Sequence, residues 1–408
     1  NMRIESRKIP IRTVGDMLTF FEFEFKYGTP GKYVPMTFIG KGGIGKSSIV
    51  KQLTHKLAEE LNCDVGYKDI RLVNFDAVDL KGVPVPDIET KTTQWLVNNV
   101  YPDEKRDGKR GILVLDEITS ANEQTQTGVY QLLAERKLNN YDFPEGWMIV
   151  CLGNGEEDGG TYNQLTPNFV NRGLICYVES DKKEWLKWAR NAGIHELILA
   201  YVAWEGSTLH GFDPSIIGLD GTCFPSPRTY TLASGYLNYP ITSKDPKDPI
   251  PAVVADLIKC TIGEAEGSKF LAFADLRKSL VNIDDILKGE ASTIDMQDDK
   301  ADQYISLAIE GLITRMRDIG KNFNNAKGNK SKQEKIATDS IDTFANIITW
   351  LMNLDYRDYV IRFISACLSD EVINSLFIYL LWEADFDKRC PEIRELLSEI
   401  DDKPKEVV

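Results

Sequence analysis

Histidine is close to missing from this sequence. His55, His195 and His210 are the only 3 in 408 residues, and none has a partner at metal-ligand spacing, so no zinc site is expected. The 7 cysteines are scattered, with no C-x-x-C pair, and most sit in apolar surroundings. They read as small buried hydrophobes in a reducing compartment. Basic residues are outnumbered, 48 Lys and Arg against 62 Asp and Glu, for a formal net charge of −14. A sequence-independent grip on nucleic acid needs a concentrated basic face, and this balance argues against one. Long apolar runs are absent as well. The stretch Leu376 to Trp382 falls far short of the roughly 20 residues that span a bilayer. No signal-peptide pattern opens the sequence, so a cytoplasmic protein with no membrane partner is expected.

What is present is ordinary in bulk and specific in places. Hydrophobic residues make up 42% and charged ones 27%, as in soluble globular proteins, and 408 residues suggest two or three domains.

The most specific stretch is Met36-Thr37-Phe38-Ile39 followed by Gly40, Lys41, Gly42, Gly43, Ile44, Gly45, Lys46, Ser47 and Ser48. A short apolar strand leads into a glycine-rich loop, and Ile49, Val50, Leu53, Leu57 and Leu61 then keep one face of a helix apolar. The loop has the form G-x-x-x-x-G-K-S. Its backbone N–H groups can turn inward around phosphate oxygens at a helix N-terminus, where the dipole favours negative charge. In this pattern Lys46 reaches the β- and γ-phosphates and the Ser47 hydroxyl holds Mg²⁺. A chance glycine turn lacks both the preceding strand and the following helix.

A second landmark is Gly111-Ile112-Leu113-Val114-Leu115-Asp116-Glu117. Four apolar residues in succession mark a strand buried on both faces, as in a parallel sheet. Its C-terminal end, where open α/β sheets bind ligands, carries two carboxylates. Asp116 is the candidate for completing the Mg²⁺ shell, and Glu117 for polarising the water that attacks the γ-phosphate. Trp147 to Gly153 forms a third apolar strand ending at Asn154. That side chain either holds the lytic water or simply begins the turn that Asn-Gly favours. Arg172 precedes the strand Leu174 to Val178, and Arg228 stands in the first turn of a later helix. A cation there is unfavourable beside the positive end of the dipole unless something anionic compensates, and bound phosphate is a candidate.

Elsewhere the chain is read more coarsely. Val14, Met17, Leu18 and Phe21 suggest a short helix ahead of the loop. Residues 70–76 read as a core strand, Thr93, Leu96 and Val97 as a short helix, and 182–205 as helical with Trp185, Trp188 and Trp204 in the core. Residues 301–319 fit an amphipathic helix, 321–335 a mobile polar loop, and 338–385 a helical hairpin. The domain reading is a lead-in at 2–35, a nucleotide-binding domain at 36–210, a helical domain at 211–290, and a C-terminal helical domain of unknown role at 291–408.

Taken together, Gly40–Ser47, Ile112–Glu117, Gly153–Tyr162, Asn171-Arg172, Trp185-Leu186-Lys187-Trp188-Ala189 and Phe224-Pro225-Ser226-Pro227-Arg228 resemble an AAA+ ATPase, more narrowly the MoxR-like group. The resemblance covers roughly residues 35–285 and implies an α/β fold: a P-loop NTPase parallel sheet with helices on both faces, then a helical lid and an all-helical C-terminal region. It implies ATP and Mg²⁺ as ligands, a homo-hexameric ring, and nucleotide at subunit boundaries. Lys46, Ser47, Asp116, Glu117, Asn154 and Arg228 would come from one protomer and Arg172, as a finger, from its neighbour. Two positions depart from the group. Gly42 replaces a usual proline, and Gly173 replaces a usual aromatic residue, which is expected to loosen the packing around Arg172. Members of the group are thought to remodel protein clients, often through a von Willebrand factor A domain. A nucleic-acid-stimulated motor or restriction-type NTPase is the alternative, with Lys321–Lys335 as its basic segment. GTP is not favoured, since no N-K-x-D motif appears.

Overall fold

The computed structural model describes residues 9–205, 209–212, 223–243, 245, 247–279, 281–354, 356–383 and 386–401. They divide into two compact units. The first comprises Asn1–Asp181, His210–Gly221 and Ser226–Arg228, and the second Lys182–Leu209, Thr222–Pro225 and Thr229–Val408.

The first unit opens with strand β1 (Ile11–Thr13) and helix α1 (Val14–Tyr27). Thr13 and Asp16 form a reciprocal capping box that starts the helix. Met17, Phe21 and Phe25 recur every fourth residue and are completely buried. Then come β2 (Met36–Gly40), α2 (Lys46–Leu61), β3 (Gly66–Arg71), α3 (Ala77–Lys81), β4 (Val83–Asp87) and β5 (Thr92–Leu96). After the short α4 (Glu104–Asp107) follow β6 (Gly111–Asp116), α5 (Glu123–Glu135), the small hairpin β7 (Lys137–Leu138) and β8 (Tyr141–Asp142), β9 (Trp147–Gly153), α6 (Pro167–Val170) and β10 (Leu174–Glu179).

Six of these strands form one sheet in the order β1-β10-β2-β9-β6-β3, every neighbouring pair parallel. Alternation of side chains builds the two faces. Ile112 and Val114 join α1 and α2 in one core, while Leu113 and Leu115 join α5 in the other. Because the strands are parallel, the C-terminal ends of β2, β6 and β9 emerge at one edge.

Two expectations from the sequence fail in this unit. The strand placed at 70–76 lies at Gly66–Arg71, and Leu72–Asn74 is a 3₁₀ turn. As the sheet's edge, β3 pairs only with β6 and leaves Tyr67 and Lys68 half-exposed, so its apolar signal is diluted. The helix expected through Thr93, Leu96 and Val97 is strand β5, paired antiparallel with β4 in the register Val83↔Leu96. A two-stranded ribbon keeps open edges, which is where Pro84 and Pro86 can sit without breaking a ladder.

The second unit is helical among its described residues. It comprises α7 (Lys182–Asn191), α8 (Glu196–Trp204), α9 (Pro227–Leu237, whose first two residues belong with the first unit), α10 (Ala252–Ile262), α11 (Glu264–Asp275), α12 (Ile283–Lys288), α13 (Ala301–Asn325), α14 (Lys330–Met352), α15 (Arg357–Ser369), α16 (Asn374–Glu383) and α17 (Ile393–Asp401). One core gathers Trp185, Tyr201, Tyr230, Phe270 and Phe273, and a second gathers Phe344, Leu351, Phe363 and Phe377. Trp188 and Trp204 pack at the margin of the first core.

The segment expected as a mobile loop, 321–335, is mostly helix. Phe323 is buried at the end of α13, and the Asn329 side chain accepts the Lys332 N–H to start α14. Across 321–335 only Phe323 and Ala326 are buried, so the polar composition masks the helices. The expected hairpin over 338–385 is three helices instead. The break after α15 is held by Asp370, fully shielded, which accepts the Val372 and Ile373 N–H groups and pairs with Arg317.

At the join of α7 and α13, the Arg190 guanidinium donates to both oxygens of Glu310 at 3.0 and 2.6 Å. Arg362 approaches Glu310 at 3.5 Å and donates to Ser306 at 2.9 Å. Burial alone would raise the Glu310 carboxyl; the two guanidinium groups outweigh it and hold it below the usual range. No single helix among the described residues is long and apolar enough to cross a membrane.

Candidate functional site

The loop between β2 and α2 turns on two glycines in the left-handed region, Gly43 at φ +80° and Gly45 at φ +100°. Gly45 is the N-cap of α2 and has no side chain to offer, so the first N–H groups of that helix have no side-chain cap. Lys46 follows as the first helical residue and is 7% exposed. Its Nζ donates to the carbonyls of Gly40 (2.6 Å) and Lys41 (2.8 Å) and to Oδ1 of Asn154 (3.2 Å). Burial pushes its ammonium down to about 8, against the pull of Asp158 and Asp116.

At the end of β6, Ser47 Oγ donates to Asp116 Oδ2 at 2.6 Å, while Asp116 Oδ1 accepts the Glu117 N–H at 2.8 Å. Glu117 has φ +62°, a conformation that costs a non-glycine residue of order 1 kcal/mol or more. The kink turns the chain off the strand immediately after Asp116. Asn154, at the end of β9, is fixed through its backbone. Thr119 Oγ1 donates to the Asn154 carbonyl at 2.9 Å and accepts its N–H at 3.0 Å. Thr119 is completely buried.

Four of the sequence-derived candidates thus converge: Lys46, Ser47, Asp116 and Asn154, with Glu117 adjoining Asp116. Arg228 also comes to the loop. Its backbone N–H donates to the Gly43 carbonyl at 3.1 Å, its side chain is exposed, and its charge is felt at Lys46. Arg172 does not join them within the chain. It is exposed, and its Nη2 donates to the Tyr130 hydroxyl at 2.6 Å, with the guanidinium 5.0 Å from that ring's centroid. The glycine after it does not loosen the packing as expected. A Cβ on Gly173 would lie 2.0 Å from the Pro35 carbonyl oxygen, so the glycine permits the close approach at which Leu174 N–H meets that same oxygen at 3.0 Å.

Two residues escaped the sequence reading. Asp158 Oδ2 accepts the Gly42 N–H at 2.8 Å, and His210 Nε2 donates to the Gly42 carbonyl at 2.7 Å. Both polar groups of Gly42 are therefore held by side chains from distant segments. Asp158 stood in an acidic loop four residues beyond Asn154. His210 was one isolated histidine with no local pattern to mark it.

Residues 35–172 match the family model described as AAA domain (dynein-related subfamily). No curated protein matches the chain. Among solved structures, a point mutant of RuvB from Thermotoga maritima is 15% identical at TM-score 0.31, covering 67% of this chain and 74% of its own. Domain III of the Thermotoga maritima replication initiation protein DnaA is 17% identical at 0.32, covering 63% and 90%. A DNA polymerase III gamma subunit-related protein from Thermotoga maritima is 11% identical at 0.30, covering 95% and 100%. Scores this low carry nothing about function.

Proposed function

We propose that this chain, whose fold is that of the AAA+ P-loop NTPases followed by a helical region, is a Mg²⁺-dependent ATPase. We further propose that it works as a ring and remodels a protein partner. The observation that carries the ATPase reading is the meeting of Lys46, Ser47, Asp116 and Asn154 at one edge of a parallel sheet.

The residues present fit both ligands. The left-handed glycines open the N-terminus of α2 toward an anion, and the buried ammonium of Lys46 lies among oxygen acceptors that phosphate oxygens can replace. A serine hydroxyl against a carboxylate is the hard oxygen donor set that Mg²⁺ prefers, with phosphate and water completing its shell. Bound there, Mg²⁺ neutralises charge developing on the phosphates.

The chain's own groups divide the rest of the work. Lys46 binds the terminal phosphates. Glu117, set by its kink, orients and deprotonates the attacking water, and Asn154 holds that water or the γ-phosphate. Arg228 senses the nucleotide from the start of α9. Catalysis is then mostly positioning and charge stabilisation. Arg172, which rests on Tyr130 in its own chain, is assigned to a neighbour's site. That assignment is one support for a ring, which the resemblance makes a homo-hexamer.

The partner reading is the MoxR-like one: a protein client in the cytoplasm, with a von Willebrand factor A domain protein as the first candidate. The net charge of −14 favours a protein over nucleic acid. The test is ATP turnover by the full chain with Mg²⁺, followed by capture of clients on Glu117→Gln in ATP. Hydrolysis that requires added DNA or RNA would overturn the protein-client reading.

A further inference from the structure

We propose that Asp158 and His210 are positioning residues, which clamp the backbone of Gly42 and keep the phosphate-binding loop in shape once Lys46 turns to a phosphate. The proposal rests on the nucleotide-binding reading of the loop and deepens it.

The loop is held along its length. Lys46 Nζ donates to the Gly40 and Lys41 carbonyls at 2.6 and 2.8 Å, and the Arg228 N–H donates to the Gly43 carbonyl at 3.1 Å. Between these two tethers, Gly42 gives its N–H to Asp158 Oδ2 at 2.8 Å and its carbonyl accepts from His210 Nε2 at 2.7 Å. A carbonyl only accepts, so Nε2 carries the proton. Burial holds that imidazole below its usual range, and so neutral.

Gly42 has freedom to lose. Its backbone lies outside the left-handed region that Gly43 and Gly45 occupy. A Cβ there would meet only Asp158 Oδ2 at 3.7 Å and Asn154 Oδ1 at 3.9 Å, both ordinary contacts. Neither the turn nor the space requires a glycine, so the mobility it brings has to be removed by its surroundings. The Lys46 ammonium cannot do this with nucleotide bound, because a phosphate draws it off the Gly40 and Lys41 carbonyls. Asp158 and His210 are under no such demand, since their partner is the loop itself. The clamp also sets spacing. Asp158 ends the 3₁₀ turn Glu156–Asp158, which begins two residues after Asn154, and so ties the end of β9 to the loop. A loop ordered in advance costs less to order on binding.

The test is ADP affinity of the full chain by titration calorimetry in EDTA, for wild type, His210→Ala, Asp158→Asn and Asp158→Ala, the last two also in a Gly42→Ala background. Asn and Ala both remove the charge of Asp158, and only Asn keeps an acceptor for the Gly42 N–H. Asp158→Ala is expected to bind about tenfold more weakly than Asp158→Asn, and His210→Ala about fivefold more weakly than wild type. Gly42→Ala narrows the backbone's freedom by itself, so in that background the gap between the two Asp158 variants should shrink to about threefold or less. Hydrogen exchange supplies a second reading: in Asp158→Ala it should quicken across 40–45 and stay slow in β6 and β9. An Asp158→Ala that binds as tightly as Asp158→Asn, a gap that Gly42→Ala leaves unchanged, or exchange that quickens evenly over the whole unit overturns the clamp. Absence of ADP binding by wild type overturns it together with the nucleotide reading.

Discussion

Ser47 Oγ and Asp116 Oδ2 stand 2.6 Å apart although 69 residues separate them in the chain. The contact joins the first turn of α2 to the end of β6 and makes an oxygen pair suited to a divalent cation. Asp116→Ala should leave nucleotide binding in EDTA within a few-fold of wild type, and abolish the gain that Mg²⁺ gives. Turnover should fall by at least about 100-fold, in keeping with the several kcal/mol a metal supplies. Affinities measured with and without Mg²⁺ check this.

Glu117 holds a left-handed backbone that a glycine would adopt freely. Glu117→Gln should bind ATP normally and hydrolyse it slowly; wild-type turnover in that variant would remove the water-activating role assigned here. Glu117→Gly should be equally inactive yet melt higher, its fold stabilised by about 1 kcal/mol through relief of strain. Activity and thermal stability would then move in opposite directions at one position.

Nucleotide affinity should depend on pH through Lys46, whose ammonium is brought down to about 8 by burial. A bound phosphate favours the charged form, so binding takes up a proton wherever the free protein has lost it. Affinity should be flat well below pH 8 and fall above it, by at most about tenfold per pH unit. Calorimetry in two buffers of different ionisation enthalpy would register that proton uptake. The sign for stability is the reverse. With the folded value below the unfolded 10.5, the unfolded chain holds more protons between about 8 and 10.5, and this group's contribution rises with pH there.

The buried pair Arg190–Glu310 should be costly to break from one side. Glu310→Leu strands two guanidinium groups, and a loss of about 3–5 kcal/mol is expected in urea unfolding of the helical unit. Combining it with Arg190→Met should cost less than the two single changes summed, because no stranded partner remains on α7.

Gly173→Ala tests close packing directly. Its Cβ, fixed in place by the backbone, would meet the Pro35 backbone carbonyl oxygen at 2.0 Å. Destabilisation of about 1–3 kcal/mol is expected, visible as a lowered melting temperature.

Much of this molecule is written locally. The glycine spacing of the loop, the apolar runs 112–115 and 147–152 and the polar residues that end them were legible because each signal lies within a few residues. Short range also explains where reading failed. Edge strand β3 carries a diluted pattern. The 92–96 ribbon has too few residues for its period of 2 to outweigh a helical spacing. Over Lys321–Asn325 the end of α13 buries Phe323 alone, and Lys330–Lys335 at the start of α14 buries nothing, so composition outweighed periodicity.

The sequence by itself determined which chemical groups are available: a phosphate-binding loop, a buried strand ending in Asp116 and Glu117, and a third strand ending at Asn154. Only the tertiary structure decided how they meet. Strand order places β9 between β2 and β6, and so delivers Asn154 to Lys46 across 108 residues of chain. It also sets Asp158 and His210 on the two polar groups of Gly42, from 116 and 168 residues away, and rests Arg172 on Tyr130. Contacts of that kind leave no periodic trace, because periodicity records a residue's position on its own element and not what another element brings to it.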